Sequence, residues 1–215
     1  MYFKNRQEAG KLLAQALIKY KGDDVVVYAL PRGGVVTAAE IAKALNAPLD
    51  LILAHKIGHP YHPEYAIAAV SENGYIVGTE RELQSLDKKW FETEKKHQMM
   101  ELKRKREKYL KGKKEIPLEN KIAILVDDGI ATGLTMQAGI LELKHRHPKK
   151  IVVAVPVAPK STAELLKSQA DEFIGLEVPE DFNFLGAVGA YYEDFSQTED
   201  EEVIKILQNL SNEKQ

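Results

Sequence analysis

The chain has 215 residues, 44% hydrophobic and 29% charged, with 30 basic groups against 32 acidic ones for a formal charge of −2. That length suits one core of roughly 100 to 200 residues carrying a lid, and the near-neutral balance excludes a disordered charged tail and a globally basic nucleic-acid binder. The absence of cysteine removes disulfides, thiolate nucleophiles and Cys-based zinc or iron–sulfur sites together, and fits a reducing compartment.

The start Met1-Tyr2-Phe3-Lys4 carries no apolar signal run, and no segment reaches the roughly 18 apolar residues of a membrane span, so a cytoplasmic protein without membrane contact is expected. Residues 4 to 20 place Ala9, Leu12, Leu13, Ala16 and Leu17 on one stripe and predict an amphipathic helix. Val25 to Leu30 is a short β-branched run that stops at Pro31 and Gly33-Gly34, where a helical pattern from Val35 to Leu45 begins. Further apolar runs at Leu49–Ala54, Ile122–Val126, Ile151–Val157 and Phe173–Leu176 read as strands. Continuous apolar strands alternating with helices predict an α/β fold, a central parallel sheet with helices on both faces.

Two stretches interrupt that rhythm. Residues 55 to 80 mix His, Pro, Gly and Tyr and predict a long loop with a hairpin inserted. Residues 80 to 111 predict one charged helix with Leu83, Leu86, Trp90, Leu102 and Tyr109 as sparse apolar contacts. Its Lys103-Arg104-Lys105-Arg106 run, flanked by Glu101 and Glu107, reads as a solvated face rather than an RNA site.

The segment that carries most chemistry is Asp127-Asp128-Gly129-Ile130-Ala131-Thr132-Gly133-Leu134-Thr135, directly after an apolar strand. A loop of small residues lets backbone N–H groups approach an anion, and the helix opening near Thr135 adds unpaired amides and a positive dipole end. Carboxylates repel a phosphate, so Asp127 and Asp128 need hydroxyl or cationic partners, and a sugar phosphate satisfies both halves. The plainer reading is that these residues cap a turn and a helix. A second loop, Pro31-Arg32-Gly33-Gly34, also joins a strand to a helix. Its glycines permit close backbone approach and Arg32 offers a fixed cationic fork suited to phosphate oxygens, the alternative being a turn with a solvent-facing Arg. Both loops follow strands, and so lie at the sheet edge where open α/β folds bind ligands.

The nine-residue run resembles the phosphoribosyl pyrophosphate signature of the type I phosphoribosyltransferases: strand, two acids, spacer, Thr-Gly-x-Thr. Lys56-Ile57-Gly58-His59-Pro60, Glu64-Tyr65-Ala66-Ile67 and the stretch from Val188 to Gln197 are similar to a bacterial subgroup named by fold rather than by substrate. The resemblance implies that Asp127 and Asp128 bind the ribose hydroxyls, Gly129 to Thr135 the 5′-phosphate, and Pro31 to Gly34 the pyrophosphate, often through a non-proline cis peptide. It also implies a closing loop in which Lys56 and His59, with His62, reach the pyrophosphate. A transition metal on His55, His59 and His62 is the competing reading, opposed by Pro60 and Pro63, which disfavour the helix that would gather them.

The implied organisation is one phosphoribosyltransferase-like domain over residues 1–215, with a lid or insert at about 55–115 and a hood at about 178–215. Phe182, Phe184, Tyr191 or Tyr192 of that hood are candidates to stack on an acceptor, although core packing is the plainer role for most of them. The implied activity moves a 5-phosphoribosyl group from phosphoribosyl pyrophosphate to a nitrogen acceptor such as a nucleobase. Asp127, Asp128, Arg32 and Lys56 carry it, with Mg²⁺ held through substrate and water rather than by protein ligands. The alternative is a phosphoribosyl pyrophosphate-binding regulator acting on RNA without turnover. A homodimer is compatible with either.

Overall fold

The computed structural model describes residues 2–212; Met1 and residues 213–215, the ends of the expected domain, lie outside the described residues. Helix α1 (Arg6–Ala16) starts at Asn5, whose side-chain oxygen accepts the Glu8 amide at 3.0 Å and satisfies one of the donors a helix start leaves unpaired. It ends sooner than the stripe predicts. Leu13 and Leu17 are buried, but Ala16 is exposed and a 3₁₀ turn follows at Ile18–Tyr20.

Strand β1 (Val25–Ala29) leads into α2 (Gly33–Leu45), and β2 (Leu49–Leu51) ends early because Ala54 already opens a second sheet. That sheet is antiparallel: β3 (Ala54–His59), β4 (His62–Ser71) and β5 (Ile76–Gly78). The stretch expected to be mostly loop is therefore largely strand, held down by buried Ile57, Ile67, Ala68 and Val70. The charged segment is likewise two helices, α3 (Glu80–Ser85) and α4 (Lys88–Leu110), not one. Asp87 breaks it by accepting the Trp90 amide at 2.7 Å and starting a new helix. Then come β6 (Ile122–Val126), α5 (Leu134–Lys144), β7 (Lys150–Val157), α6 (Lys160–Gln169), β8 (Glu172–Glu177) and α7 (Asp200–Asn212). Phe3 bridges to Tyr192, which ties the N-terminal segment to the one before α7.

The main sheet is parallel throughout, in the order β2-β1-β6-β7-β8. Val25, Val27 and Ala29 pack with Leu13 and Ala38 on the α1–α2 face, while Val26 and Tyr28 pack with Ile140 and Leu166 on the α5–α6 face. Burial on both faces is why these strands read as unbroken apolar runs. The strand order reverses between β1 and β6, which opens a crevice at their carboxyl ends.

A buried ionic network fastens the second sheet and α4 to this core. Arg106 of α4 donates from Nη2 to Glu72 Oε1 at 2.6 Å and to the Leu51 carbonyl at 2.9 Å. Glu142 of α5 accepts from Ser71 Oγ and Asn73 Nδ2 at 2.7 Å each, and from Arg146 Nη2 at 3.2 Å. Burial pushes the Glu72 carboxyl above its ordinary pKa, against the pull of Arg106. Removing one partner of a buried pair leaves the other charge uncompensated, so Glu72→Ala should cost about 3 kcal/mol or more of unfolding free energy in urea titrations. Glu101→Ala, which breaks the exposed pair with Arg104, should leave the midpoint unmoved.

Candidate functional site

Ala29 pairs with Val126, so the loops after β1 and β6 leave the sheet side by side. They press together more closely than any other side chain would allow. A Cβ at Gly33 would fall 1.9 Å from Asp128 Oδ2, and one at Gly34 would fall 3.0 Å from Asp127 Oδ1. Glycine is required at 33 by this approach rather than by any turn. The Pro31–Arg32 peptide is cis, as the motif resemblance implies.

Between the two loops lies a row of unused donors. Among the described residues, the amides of Arg32, Gly33 and Gly34 and those from Ala131 to Thr135 meet no acceptor. The second group forms a bend. Ile130 N–H donates to the Val157 carbonyl at 2.9 Å, Thr162 Oγ1 donates to the Ala131 carbonyl at 2.8 Å, and Gly133 turns at φ 77° to start α5. Ala131 and Thr132 are exposed, so among the described residues no side chain covers the bend. Clustered amides at a helix start suit an anion.

Asp127 and Asp128 flank this bend, and they differ. Asp127 Oδ1 accepts the Asp128 amide at 2.8 Å, and burial followed by the neighbouring Asp128 charge holds its carboxyl well above the usual carboxylate range. Asp128 Oδ2 accepts Arg6 Nε at 2.6 Å, and its carbonyl accepts the Tyr192 hydroxyl at 2.6 Å.

Beside the loops opens a cleft of about 680 Å³ between Pro31, Arg32, Thr135, the second sheet and α4. Lys56 lines it, and so do His55, Lys105, Tyr109 and Asp200. Burial and the Lys105 charge lower the His55 pKa and favour its neutral form. Asp200, at the start of α7, accepts from Tyr109 Oη at 2.6 Å and lies 2.5 Å from Lys108 Nζ, contacts that depress its pKa. Arg32 Nη1 sits 3.5 Å from Glu199 and 3.7 Å from Asp200, so the cationic fork is held at the cleft by the first carboxylate of α7 and the one just before it.

His59 is not brought to the cleft. It lies at the far end of the β3–β4 hairpin, its ring 5.7 Å from that of His62, because strand geometry carries it away from Lys56. His55, at the other end of β3, does not join them, and among the described residues no group of three His, Cys, Asp or Glu could hold a metal. The basic run is not a uniform solvated face: Lys103 and Arg104 are exposed, Lys105 lines the cleft and Arg106 sits in the buried network. Tyr191 and Tyr192 are buried with Phe3 and Val157, Phe184 stacks on Tyr191, and Phe182 is exposed. Sequence reasoning missed Arg6 and Asp200, which carried no signal; it read Lys105 as part of a solvated charge run, Tyr109 as an apolar contact of the helix and Tyr192 as a packing or stacking ring, and missed both hydroxyl contacts.

No helix among the described residues is long and apolar enough to cross a membrane. The chain is 40% identical to TT1426 from Thermus thermophilus, whose crystal structure it matches over 98% of its own length and 99% of that chain at a TM-score of 0.82. AQ2163 from Aquifex aeolicus, 13% identical with a TM-score of 0.54 over 84% and 76% of the two chains, shares the fold alone. Two proteins of Mycobacterium tuberculosis, strains CDC 1551 and H37Rv, provisionally named phosphoribosyl transferases, are 40% identical over 207 residues, 95% of this chain. The chain spans about half the length of these curated relatives, 46%. The phosphoribosyl transferase domain model matches residues 2–193, and the chain belongs to that family, in the type I group its strand–acid–acid–Thr-Gly-x-Thr run resembles.

Proposed function

We propose that this chain transfers a 5-phosphoribosyl group from phosphoribosyl pyrophosphate to a nitrogen acceptor of the nucleobase kind, releasing pyrophosphate. The observation that carries this reading is the pair of acceptor-free amide rows, Arg32–Gly34 and Ala131–Thr135, set on either side of two carboxylates. The spacing suits a molecule with a phosphate at one end, hydroxyls in the middle and a second anion at the other.

In this reaction the acceptor nitrogen forms a bond to C1 of the ribose as the C1–O bond to pyrophosphate breaks. Pyrophosphate leaves with the electron pair, and the acceptor nitrogen loses its proton. Charge resembling an oxocarbenium ion develops on the sugar while negative charge grows on the leaving group. The bend from Gly129 to Thr135 holds the 5′-phosphate and Asp128 accepts from a ribose hydroxyl. Pro31, Gly33 and Gly34 bring backbone to the pyrophosphate, with Arg32 and Lys56 as its cationic partners. Positioning and charge stabilisation replace a covalent nucleophile. Mg²⁺ suits this arrangement as an ion carried by substrate and water, because the carboxylates near the cleft are hard donors too dispersed to form a cage. When bound it would neutralise charge on the departing pyrophosphate. Residues 55–115 would form the insert, with the β3–β4 hairpin that carries Lys56 closing as its lid while α4 stays anchored to the core, and the segment from 178 onward would form the acceptor-facing hood. The RNA-binding alternative gains no support from α4, whose Lys105 and Arg106 turn inward.

Asp128→Asn and Arg32→Ala should each weaken phosphoribosyl pyrophosphate binding in calorimetry, and lower the turnover of any acceptor by on the order of 10²; full affinity in both variants refutes the assignment. Asp127 gives a pH test. Its folded pKa lies above the unfolded value, so the stability it contributes is complete below the unfolded pKa and is lost as pH rises through the folded one. Thermal unfolding of Asp127→Asn should therefore show a Tm advantage over the parent chain that grows as pH rises above about 4. An advantage independent of pH would contradict the shift.

A further inference from the structure

Arg6 stands outside every motif in the chain, yet its guanidinium is one of the most constrained groups in the molecule. Nε donates to Asp128 Oδ2 at 2.6 Å, Nη1 donates to the Ser196 carbonyl at 2.7 Å, and the guanidinium lies 3.8 Å from the centre of the Phe195 ring. Both partners of the ion pair are nearly closed to solvent, at 11% for Arg6 and 14% for Asp128. The Phe195 ring in turn packs 4.8 Å from that of Tyr192, whose hydroxyl holds the Asp128 carbonyl. Residue 128 is thus gripped twice from outside the sheet, on its side chain by the N-terminal segment and on its backbone by the segment before α7.

We infer that Arg6 is a positioning residue for ribose recognition: it fixes the Asp128 carboxylate through Oδ2 and so presents Oδ1 to a sugar hydroxyl. The inference rests on the proposed function. Three features separate it from a surface ion pair. The arginine has two acceptors and an aromatic face, so little side-chain freedom remains to be lost when a ligand binds. The pair is partly desolvated, which strengthens it. It also sits directly against Gly33, where a Cβ would lie 2.7 Å from Arg6 Nε, so close packing leaves the guanidinium little room to swing away from Asp128. A pair locked in this way orients the acid; a displaceable latch would need one contact rather than three.

The test is a set of dissociation constants measured calorimetrically with Mg²⁺ present, for phosphoribosyl pyrophosphate and for inorganic pyrophosphate, which has no ribose to meet Asp128. Arg6→Ala should weaken phosphoribosyl pyrophosphate at least tenfold and leave pyrophosphate within twofold. In an Asp128→Asn background the same change should have no further effect, because Arg6 acts through Asp128. Arg6→Gln carries the same expectation should the alanine variant unfold. Unchanged or tighter phosphoribosyl pyrophosphate binding, equal loss of both ligands, or additive losses in the double variant would each overturn the inference. If the parent chain binds pyrophosphate but not phosphoribosyl pyrophosphate, the proposed function falls and takes this inference with it. If the parent binds both and Arg6→Ala does too, the inference falls alone.

Discussion

The close approach of two loops, Pro31–Gly34 and Asp127–Thr135, is the constraint on which the site depends. Parallel pairing of β1 with β6 sends both chains out of the sheet at the same edge, and the missing Cβ of Gly33 lets them come within contact distance. Everything that could serve a phosphorylated sugar follows from that contact. The backbone donors face a shared space, the acids sit between them, and two helices start where their unpaired amides are most useful to an anion. An alanine at position 33 would not merely crowd the site; it would displace the carboxylate that the ribose assignment requires.

Around this edge, charged groups are held by other charged groups rather than left in solvent. Arg32 is restrained by Glu199 and Asp200, Asp200 by Lys108 and Tyr109, and Asp128 by Arg6. Restraint of this kind lowers the reorganisation needed when a ligand arrives, which is the physical content of preorganisation. It also joins distant parts of the chain, since residues 6, 32, 108, 128 and 200 meet at one end of the sheet. The buried Arg106–Glu72 and Arg146–Glu142 pairs do the same for the cleft wall, fastening α4 and the second sheet to the core. The family identity leaves the acceptor open, and the aromatic residues of the C-terminal segment do not narrow it. Tyr191 and Tyr192 are spent on packing and on a hydrogen bond to the loop.

The five apolar strand runs, the two strand-to-helix loops and the α/β class were legible in the residues themselves. These depend on local chemistry: β-branched runs buried on both faces, glycines before a helix, acids at a strand end. Legibility failed where distant partners decide. The stretch from 55 to 80 reads as a loop with an inserted hairpin because its polar and proline residues hide a sheet whose apolar face is completed only by the rest of the fold. The break at Asp87 was masked because Leu83, Leu86 and Trp90 keep helical spacing across it.

At the site, sequence alone determined which residues could bind a phosphate and a sugar, because glycine, threonine and aspartate next to one another restrict what their backbone and side chains can meet. Only tertiary structure decided who holds them. Arg6 reaches Asp128 across 122 positions, and Asp200 reaches Tyr109 across 91, contacts with no local signature. His59 shows the converse: the family resemblance implied a role shared with Lys56, three positions earlier, and an extended strand spaces the two apart, since a strand spans more than 3 Å per residue.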